Sequence, residues 1–455
     1  MNTIRPRLIP ALLLAAASAA LGWSAPADIT GLAGQREFGP RIAADPSNRL
    51  HVVWCGGVDP GSNWRVWYQH YDGSAWSTPV PIPNTSAGCS NADIAVDAAG
   101  NLHVVYDAAE RIYYIARLAG TWGTPVALQQ SSNKALAPHL AADPSASTIL
   151  VAWQEANQTG GTYDIRAAVR AGGAWGAPEN ISADPGLSRE ARVAVDAAGA
   201  FHVVWEDIND EHAYYRRRSA GGTWGAKTAI DTTGARSRGP CIAAAAGGTL
   251  HCVWLDDTSG DWEILYSSAP GGSGWSAPVN ISSHPGVTDS APTLALDSFG
   301  QVYVVWDDYG SIYHAARVGG SWSARTTLSA GSNQQDAHII LDGQNTAHVV
   351  WQNRNTPSGT WDIMYMWNAN PPPGPRGTLA GTVRNQFGAP VAEATISVDG
   401  QALSLSGPDG RYSGLLPPGV YTVTAGKTWY AGQTVEGVAV VADAARQQDF
   451  VIAGQ

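Results

Sequence analysis

His202-Val203-Val204-Trp205, which follows the turn sequence Asp196-Ala197-Ala198-Gly199, recurs along this chain of 455 residues. Seven copies share a short apolar run that ends in an aromatic residue, and these last residues are Trp54, Tyr106, Trp153, Trp205, Trp254, Trp306 and Trp351. Successive copies lie 45 to 52 residues apart. A period of about 50 residues with β-branched strand segments is typical of propeller blades. The pattern therefore predicts an all-β fold with a seven-bladed β-propeller.

A second tryptophan marks the outer strand of the repeat, and it is present at Trp76, Trp122, Trp175, Trp224, Trp275 and Trp322. The seventh repeat lacks this marker, but Trp23-Ser24-Ala25-Pro26 near the N-terminus matches Trp275-Ser276-Ala277-Pro278. We therefore expect residues 23–30 to pair as the outermost strand of the last blade. Closing the ring in this way removes free sheet edges, which otherwise invite aggregation.

The composition excludes some partners and points to export. The net charge is −11, which argues against nucleic acid and against an anionic membrane surface. Residues 1–22 have the features of a secretory signal peptide, with Arg5 and Arg7 before an apolar run at 12–20. That run is too short for a transmembrane helix. We expect a monomer that is secreted, periplasmic or attached to the cell surface.

Export permits disulfides, and the chain has four cysteines. Four cysteines allow three pairings. The blade arrangement favours Cys55–Cys89 and Cys241–Cys252, and the alternative is buried free thiols. None of the four has the spacing of a zinc site, so no metal site is assigned to them.

The repeat covers residues 23–369 and is followed by a proline-rich linker at 370–376. Residues 377–455 contain several short alternating segments between glycine- and proline-containing turns, which predicts a small β-sandwich. This segment resembles the carboxypeptidase regulatory-like domain, a transthyretin-like sandwich. The resemblance rests on Gly381-Thr382-Val383, Asp409-Gly410-Arg411-Tyr412 and Pro418-Gly419-Val420-Tyr421. It implies a non-catalytic module of the kind appended to exported and surface proteins.

Residues 23–369 resemble bacterial sialidase-like and BNR-repeat propellers. The resemblance rests on the repeated Asp-x-x-Gly turn, the His-Val-Val-Trp strand and the outer-strand tryptophan. The Asp box of that family, Ser-x-Asp-x-Gly-x-Thr-Trp, is not found intact here. We count seven blades, whereas sialidases have six, and their arginine triad and Tyr–Glu pair find no counterpart. The resemblance therefore implies the fold and assigns no catalytic residue.

Residues that recur in most repeats are explained by the blade, so the histidine of His-Val-Val-Trp is interpreted as structural. Function is sought where the repeats differ. The aligned position at the start of each first strand is heterogeneous and faces the axis region, and its residues are Arg41, Asp93, His139, Arg192, Cys241, Thr293 and His338. Its two arginines, one aspartate and two histidines predict a site for an anionic ligand. The alternative is a solvated channel with internal pairing.

An aromatic residue stands beside polar residues in the odd-numbered repeats only, at Trp64, Tyr163, Trp262 and Trp361. At a loop edge such a residue can stack on a sugar ring, and the alternative is that it covers the blade rim. We include these four residues among the candidate ligand-binding residues.

The loops after the second strands are acidic, and they contain Asp107, Glu155, Glu206, Asp207, Asp256, Asp257, Asp307 and Asp308. Paired carboxylates serve acid–base hydrolysis or bind a hard cation such as Ca²⁺, and the alternative is turn chemistry. Candidate catalytic residues, if there are any, are Asp256, Asp257, Asp307 and Asp308. The sequence contains no phosphate-binding loop, nucleophile elbow or HExxH motif, so no cofactor is expected.

These observations predict an exported, non-catalytic recognition protein whose loop-rich propeller face binds a glycan or an extracellular protein. The alternative is a sialidase-like glycoside hydrolase or a polysaccharide lyase that uses carboxylates of the acidic loops.

Overall fold

A computed structural model describes residues 22–454, apart from residues 33, 59–62, 144–147, 158–161, 184–185, 232, 273, 355–360, 369–376, 399–400, 417–418 and 442–443. The predicted linker at 370–376 and all but the last residue of the predicted signal peptide lie outside the described residues. Over the described ranges the chain forms 40 β-strands and one short 3₁₀ turn, which confirms the all-β prediction. The same ranges contain no helix with the length and apolarity that crossing a bilayer requires.

Seven antiparallel sheets follow one another along the chain, and each is built around a pair of long strands. The strands of sheets 1 to 3 are β2 (Arg36–Ala44), β3 (Leu50–Gly57), β4 (Arg65–Tyr71) and β5 (Val80–Pro81); β6 (Cys89–Val96), β7 (Leu102–Ala108), β8 (Arg111–Leu118), β9 (Thr121–Trp122) and β10 (Val126–Ala127); and β11 (Ala135–Ala142), β12 (Ile149–Ala156), β13 (Tyr163–Ala171), β14 (Ala174–Trp175) and β15 (Glu179–Asn180).

The strands of sheets 4 to 6 are β16 (Ser188–Val195), β17 (Phe201–Asp207), β18 (Ala213–Arg218) and β19 (Thr228–Ala229); β20 (Ser237–Ala244), β21 (Leu250–Asp256), β22 (Glu263–Ala269) and β23 (Val279–Asn280); and β24 (Ser290–Leu296), β25 (Val302–Asp307), β26 (Ile312–Val318), β27 (Ser321–Trp322) and β28 (Thr326–Ser329). The 3₁₀ turn, Pro270–Gly272, follows β22.

Sheet 7 takes its outermost strand from the N-terminus. Its strands are β29 (Gln334–Leu341), β30 (Ala347–Asn353), β31 (Asp362–Asn368) and β1 (Ala27–Asp28). Ala27 pairs with Tyr365 and Asp28 with Met364, as the sequence match at residues 23–26 predicts. The first strand of each sheet contacts the first strand of the next, and β29 contacts β2, so these contacts run in a closed circle.

The second strand of each sheet forms the centre of the packing. β3, β7 and β17 are buried along their whole length, because neighbouring sheets cover both faces. Near-continuous apolar runs are what such strands require. Six of the seven aromatic residues that end the repeat motif are tryptophans, and all of them are fully buried between sheets.

The repeated aspartate and histidine are structural. In sheet 4, Asp196 Oδ1 accepts hydrogen bonds from the backbone N–H groups of Ala198 (2.9 Å) and Ala200 (2.8 Å). Its Oδ2 lies 3.2 Å from His202 Nε2, and His202 Nδ1 lies 2.8 Å from the Tyr215 hydroxyl. Burial lowers the pKa of His202, although Asp196 opposes this shift. The relay recurs in sheets 2 and 7, which confirms the structural interpretation of this histidine.

Neighbouring sheets are joined at a β-bulge near the start of each first strand. The residues at this bulge position are Gly39, Asn91, Ala137, Glu190, Gly239, Ala291 and Asp336. At five junctions the backbone N–H of the bulge residue donates to the side chain that follows the buried aromatic of the preceding sheet, and these acceptors are Gln352, Asp107, Gln154, Glu206 and Asp307.

This junction supports a first prediction. Gly39 N–H donates to Gln352 Oε1 at 2.8 Å between sheets 7 and 1. Gln352→Leu leaves that donor without its partner, so we expect it to lower the free energy of unfolding by about 1–2 kcal/mol. Gln352→Glu is the matched control, because a glutamate already fills this position at Glu206. Denaturant unfolding of both variants measures the difference, and equal losses for the two variants would contradict the role of the acceptor.

A disulfide takes the place of that hydrogen bond between sheets 1 and 2. Cys55 follows the buried aromatic Trp54, and it is bonded to Cys89 at the start of β6, with a Cα–Cα distance of 5.7 Å. The predicted Cys55–Cys89 pair is therefore present in the structure.

The predicted Cys241–Cys252 disulfide is wrong, because both thiols are free. In the register of sheet 5, Cys241 is opposite Val253 and Cys252 is opposite Ile242. Side chains one position apart along a strand point to opposite faces of the sheet. Cys252 accordingly packs in the core between sheets 4 and 5, and Cys241 borders the core between sheets 5 and 6.

The C-terminal segment forms two further sheets around its own core. Its strands are β32 (Gly377–Asn385), β33 (Thr395–Val398), β34 (Gln401–Leu405), β35 (Arg411–Leu416), β36 (Gly419–Gly426), β37 (Tyr430–Ala431), β38 (Gln433–Val440), β39 (Ala445–Gln447) and β40 (Phe450–Gly454). One sheet has the order β35-β32-β40-β37, with β39 beside β32, and the other has the order β34-β33-β36-β38. Leu379, Ile396, Val423 and Phe450 are among the fully buried residues between them.

Candidate functional site

The structure brings together the heterogeneous residues at the start of the first strands. Arg41, Asp93, His139 and Arg192 come from sheets 1 to 4, and all four line one small cavity of about 30 Å³. A cavity of this size holds about one water molecule. Each of the four follows the bulge of its strand by two positions, and the repeated bulge therefore sets their common orientation.

Several of these residues link neighbouring sheets. Asp93 Oδ2 accepts a hydrogen bond from Leu140 N–H at 3.0 Å, and His139 Nδ1 accepts one from Val193 N–H at 3.1 Å. His338 Nδ1 accepts one from Ile42 N–H at 3.4 Å. The predicted ligand-binding residues Asp93, His139 and His338 thus have hydrogen-bond partners in the next sheet. Each of these side chains therefore has a structural role.

Burial controls the protonation of this ring of residues. It holds the pKa of His139 well below the usual histidine value and lowers that of His338 to about 3, and Arg41 adds to both shifts. Burial raises the pKa of Asp93, which Arg41 opposes. Both histidines are therefore neutral at physiological pH, and the positive charge at the centre comes from the arginines.

A larger cavity of about 400 Å³ adjoins these residues, and we call it the central cavity. It is lined by residues of sheets 1 and 4 to 7, among which the charged ones are Arg41, Arg192, Arg238, Glu190, Glu206 and Asp336. Three guanidinium groups and three carboxyl groups thus share one concave space. Such a surface offers both donors and acceptors to a polar ligand.

Two of the acidic residues are held in an unusual backbone conformation. Glu190 and Asp336 occupy the bulge position with φ of 52° and 55°, a region that residues other than glycine seldom adopt. Glu190 Oε2 lies 3.7 Å from Arg192 Nη1. Burial raises the pKa of Asp336, whereas Arg41 and Arg192 oppose that shift. Ala137 and Ala291 have the same positive φ at this position, 52° and 46°, so the conformation belongs to the repeated bulge.

Sequence reasoning did not select Glu190, Arg238 or Asp336 as site residues. A signal for two of them was present, because the bulge position is otherwise filled by glycine, alanine or asparagine. The glutamate and the aspartate are the two charged residues at that position.

The four candidate aromatic residues lie outside the central cavity, and three of them stack against arginines. The guanidinium of Arg189 lies 5.3 Å from the Tyr163 ring centre, and that of Arg354 lies 5.9 Å from Trp361. Arg236 and Arg238 lie 5.2 and 6.0 Å from Trp262. Because Arg238 also lines the central cavity, Trp262 is connected to that cavity through one side chain.

Trp64, the fourth aromatic candidate, has a packing role. Its ring lies 4.5 Å from that of Phe38, and its carbonyl oxygen accepts hydrogen bonds from the backbone N–H groups of Gly88 and Cys89. It therefore helps to hold the segment that begins sheet 2.

The candidate catalytic carboxylates are engaged in turns and junctions. Asp256 accepts hydrogen bonds from Thr258 and from the Thr233 hydroxyl (2.7 Å). Asp257 pairs with Arg236, and Asp308 accepts from the N–H of Gly310 (2.9 Å) and from the Tyr313 hydroxyl (2.9 Å). Asp307 accepts from the N–H groups of Tyr309 and Asp336, and burial raises its pKa to about 8. Among the described residues, none of the four lines the central cavity.

No metal centre is assigned from the geometry. Over the described ranges, no group of three or more His, Cys, Asp or Glu side chains is placed to hold a metal ion.

Known proteins resemble this chain at two levels, a family model for its C-terminal unit and solved structures with a similar overall fold. Residues 378–453 match the family model of the carboxypeptidase regulatory-like domain. The C-terminal unit is a carboxypeptidase regulatory-like domain. No curated protein matches the chain.

Solved structures that resemble the chain are propeller proteins, and their similarity is one of fold alone. The polysaccharide lyase Uly1 is 10% identical over 73% of this chain and 90% of its own, with a TM-score of 0.51. An α-L-arabinanase from Penicillium chrysogenum is 14% identical over 77% and 99%, with a TM-score of 0.46. A protein of unknown function from Dyadobacter fermentans is 11% identical over 75% and 97%, with a TM-score of 0.48.

Proposed function

We propose that the protein is an exported, non-catalytic recognition protein whose seven sheets are the blades of a β-propeller closed by the N-terminal strand. Its ligand is an acidic saccharide that binds in the central cavity. The carboxypeptidase regulatory-like domain, preceded by the proline-rich linker, is a spacer or attachment module. The signal-like residues 1–22 and the Cys55–Cys89 disulfide support a secreted, periplasmic or surface location.

The observation that carries this proposal is the charge pattern of the central cavity. Arg41, Arg192 and Arg238 present guanidinium groups, which bind carboxylates with two parallel hydrogen bonds. Glu190, Glu206 and Asp336 offer acceptors for sugar hydroxyls. A ligand with one carboxylate and several hydroxyl groups, such as a uronic or sialic acid, matches both sets.

Arg192→Gln tests the site directly. Titration calorimetry with galacturonate and glucuronate oligosaccharides and sialyllactose should show binding to the unaltered protein, with affinity that falls as salt concentration rises. Losing one charge-assisted contact costs about 1.5–3 kcal/mol, so we expect the variant to bind at least tenfold more weakly. Arg411→Gln, on the surface of the C-terminal domain, is the matched control. Failure of every acidic saccharide to bind, or equal binding by the two variants, overturns the proposal.

The second candidate is a glycoside hydrolase or polysaccharide lyase. The observation that favours it is the half-buried Asp336 carboxyl group, whose raised pKa and neighbouring arginines are features of catalytic acids and bases. Incubation of the same saccharides with the protein, followed by assays for new reducing ends and unsaturated uronates, separates the two functions. Product that disappears in Asp336→Asn but persists in the pair Asp256→Asn and Asp257→Asn would establish an enzyme with a site in the central cavity.

A further inference from the structure

A second cavity lies where the ring closes, between sheets 7 and 1, and we call it the closure cavity. Its volume is about 560 Å³, which exceeds that of the central cavity. It is bounded by the N-terminal segment, by strands of sheets 7 and 1 and by two turns that join first and second strands. The central cavity instead involves the opposite ends of the first strands, so the two cavities occupy different ends of the sheets.

The junction at the closure cavity lacks an arginine that three other junctions have. At three other junctions, an arginine at the end of the third strand lies over a tyrosine of the preceding sheet, and one of these is Arg317, 5.7 Å from the ring centre of Tyr266. Arg117 lies 5.7 Å from the ring centre of Tyr68, and Arg170 lies 5.9 Å from that of Tyr114. In sheet 1 the equivalent residue is Tyr71, as its pairing with Leu50 shows. Tyr365 of sheet 7 therefore has no arginine in this place.

A second position of the repeat also differs in sheet 7, and its residue adds an aromatic surface to the cavity. Trp367 is paired with His348 of the repeat motif, and the residues with the same pairing in sheets 1, 2, 4 and 5 are His70, Ala116, Arg217 and Ser268. Trp367 is 41% exposed, and its backbone is fixed by reciprocal hydrogen bonds with Ser24 (2.8 and 3.0 Å). Its indole thus lines the cavity from a rigid strand.

The lining is aromatic and polar, and its two aspartates already have hydrogen-bond partners within the protein. Trp76, Trp367, Tyr71 and Tyr365 provide ring surfaces. Asp342 accepts hydrogen bonds from two turn N–H groups and is paired with His348, and Asp72 accepts three hydrogen bonds from Ser74 and Ala75. No lysine or arginine is among the described residues that line this cavity. Ring surfaces with a few amide and hydroxyl groups are typical of sites for uncharged polar ligands.

We propose that the closure cavity is a second saccharide site, which binds an uncharged sugar ring stacked on Trp367. Ser47, Asn48, Gln344 and Thr346 line the same cavity, and their side chains carry amide and hydroxyl groups. Asn48 Oδ1 already accepts a hydrogen bond from Gly343 N–H at 2.9 Å, which leaves its amide N–H groups as donors. The site is independent of the acidic-saccharide site, because it shares no residue with the central cavity.

Binding at this place also stabilises the ring. The ligand contacts the N-terminal segment, sheet 7 and sheet 1 together, so it is held only while the ring is closed. A ligand that binds the folded state alone raises the melting temperature in proportion to the logarithm of its concentration.

Tyr71→Arg provides the sharpest test, because it restores the arginine that lies over the tyrosine at three other junctions and so covers the Tyr365 ring inside the cavity. Cellotetraose, mannotetraose and galactotetraose are the probes, and binding is measured by calorimetry and by the melting temperature. We expect saturable binding of at least one probe, and at least a tenfold loss in both Tyr71→Arg and Trp367→Ala. Trp429→Ala, at an exposed tryptophan of the C-terminal domain, is the matched control.

Two results would overturn this proposal: no saturable binding of any of the three neutral probes, or binding that survives Tyr71→Arg unchanged. Arg192→Gln separates the two sites. It should weaken acidic saccharides while leaving the neutral probe unaffected, and a parallel loss of both ligands would show that a single site binds them.

Discussion

A variant that lacks residues 23–30 but retains the rest of the chain should melt about 5–10 °C below the full protein in the transition of the seven-sheet unit. These residues provide the outer edge of sheet 7. Ser24 N–H donates to the Trp367 carbonyl at 2.8 Å, and Ile29 N–H donates to that of Ile363 at 3.0 Å. Each such bond contributes about 1 kcal/mol, and the buried Ile29 side chain adds roughly 2 kcal/mol.

The deletion also removes contacts to neighbouring sheets. The Ile29 carbonyl accepts a hydrogen bond from Gln69 Nε2 of sheet 1 at 2.8 Å, and Trp23 lies edge-on to His314 of sheet 6 at 5.3 Å between ring centres. A total loss of about 5 kcal/mol corresponds to the expected shift for a unit of this size. Differential scanning calorimetry measures it.

The transition of the C-terminal domain serves as the internal control, because that domain has a core of its own and should melt unchanged. An unaltered transition of the seven-sheet unit would show that the N-terminal strand is dispensable for closure.

Replacing both Cys55 and Cys89 by alanine should destabilise the seven-sheet unit by about 3–4 kcal/mol. The disulfide closes a segment of 34 residues, and the loop-entropy relation gives a loss of this order. It is also the covalent link between sheets 1 and 2, at the place where five other junctions have a hydrogen bond. Denaturant unfolding with and without a reducing agent measures the effect.

Reduction should destabilise the natural protein and leave the double alanine variant unchanged. Thiol titration of the unfolded protein should give two free thiols before reduction and four afterwards, because Cys241 and Cys252 are free. A protein with no titratable thiol before reduction would contradict the structure and restore the second disulfide.

The candidate site was predictable in its position and less so in its composition. Aligning the repeats showed that Arg41, Asp93, His139, Arg192 and His338 occupy one variable place, and the structure gathers four of these around one small cavity. The sequence could not show that Asp93, His139 and His338 bond to the backbone of the next sheet, because those partners are about 50 residues or more away in the chain. It also could not show that bulges direct Glu190 and Asp336 into the central cavity.

The error in the second disulfide has a similar origin. Cys241 and Cys252 lie on paired strands, and their spacing around a turn is compatible with contact. Their pairing register places them one position out of alignment, however, so that their side chains enter different cores. The turn that joins Ala244 to Leu250 sets this register, and a pattern of strands and turns does not show which residues it places opposite each other.

The sequence by itself determined the all-β class, the repeat, the pairing of the N-terminal strand with sheet 7, one disulfide and the C-terminal domain, because each depends on local periodicity or on matching short segments. Only the tertiary structure decided which side chains share a cavity. The central cavity draws residues from five sheets, and the closure cavity arises because Tyr71 and Trp367, nearly 300 residues apart, flank one junction. The physical reason is that a closed ring brings distant repeats side by side, and no local pattern in the chain records which residues then face each other.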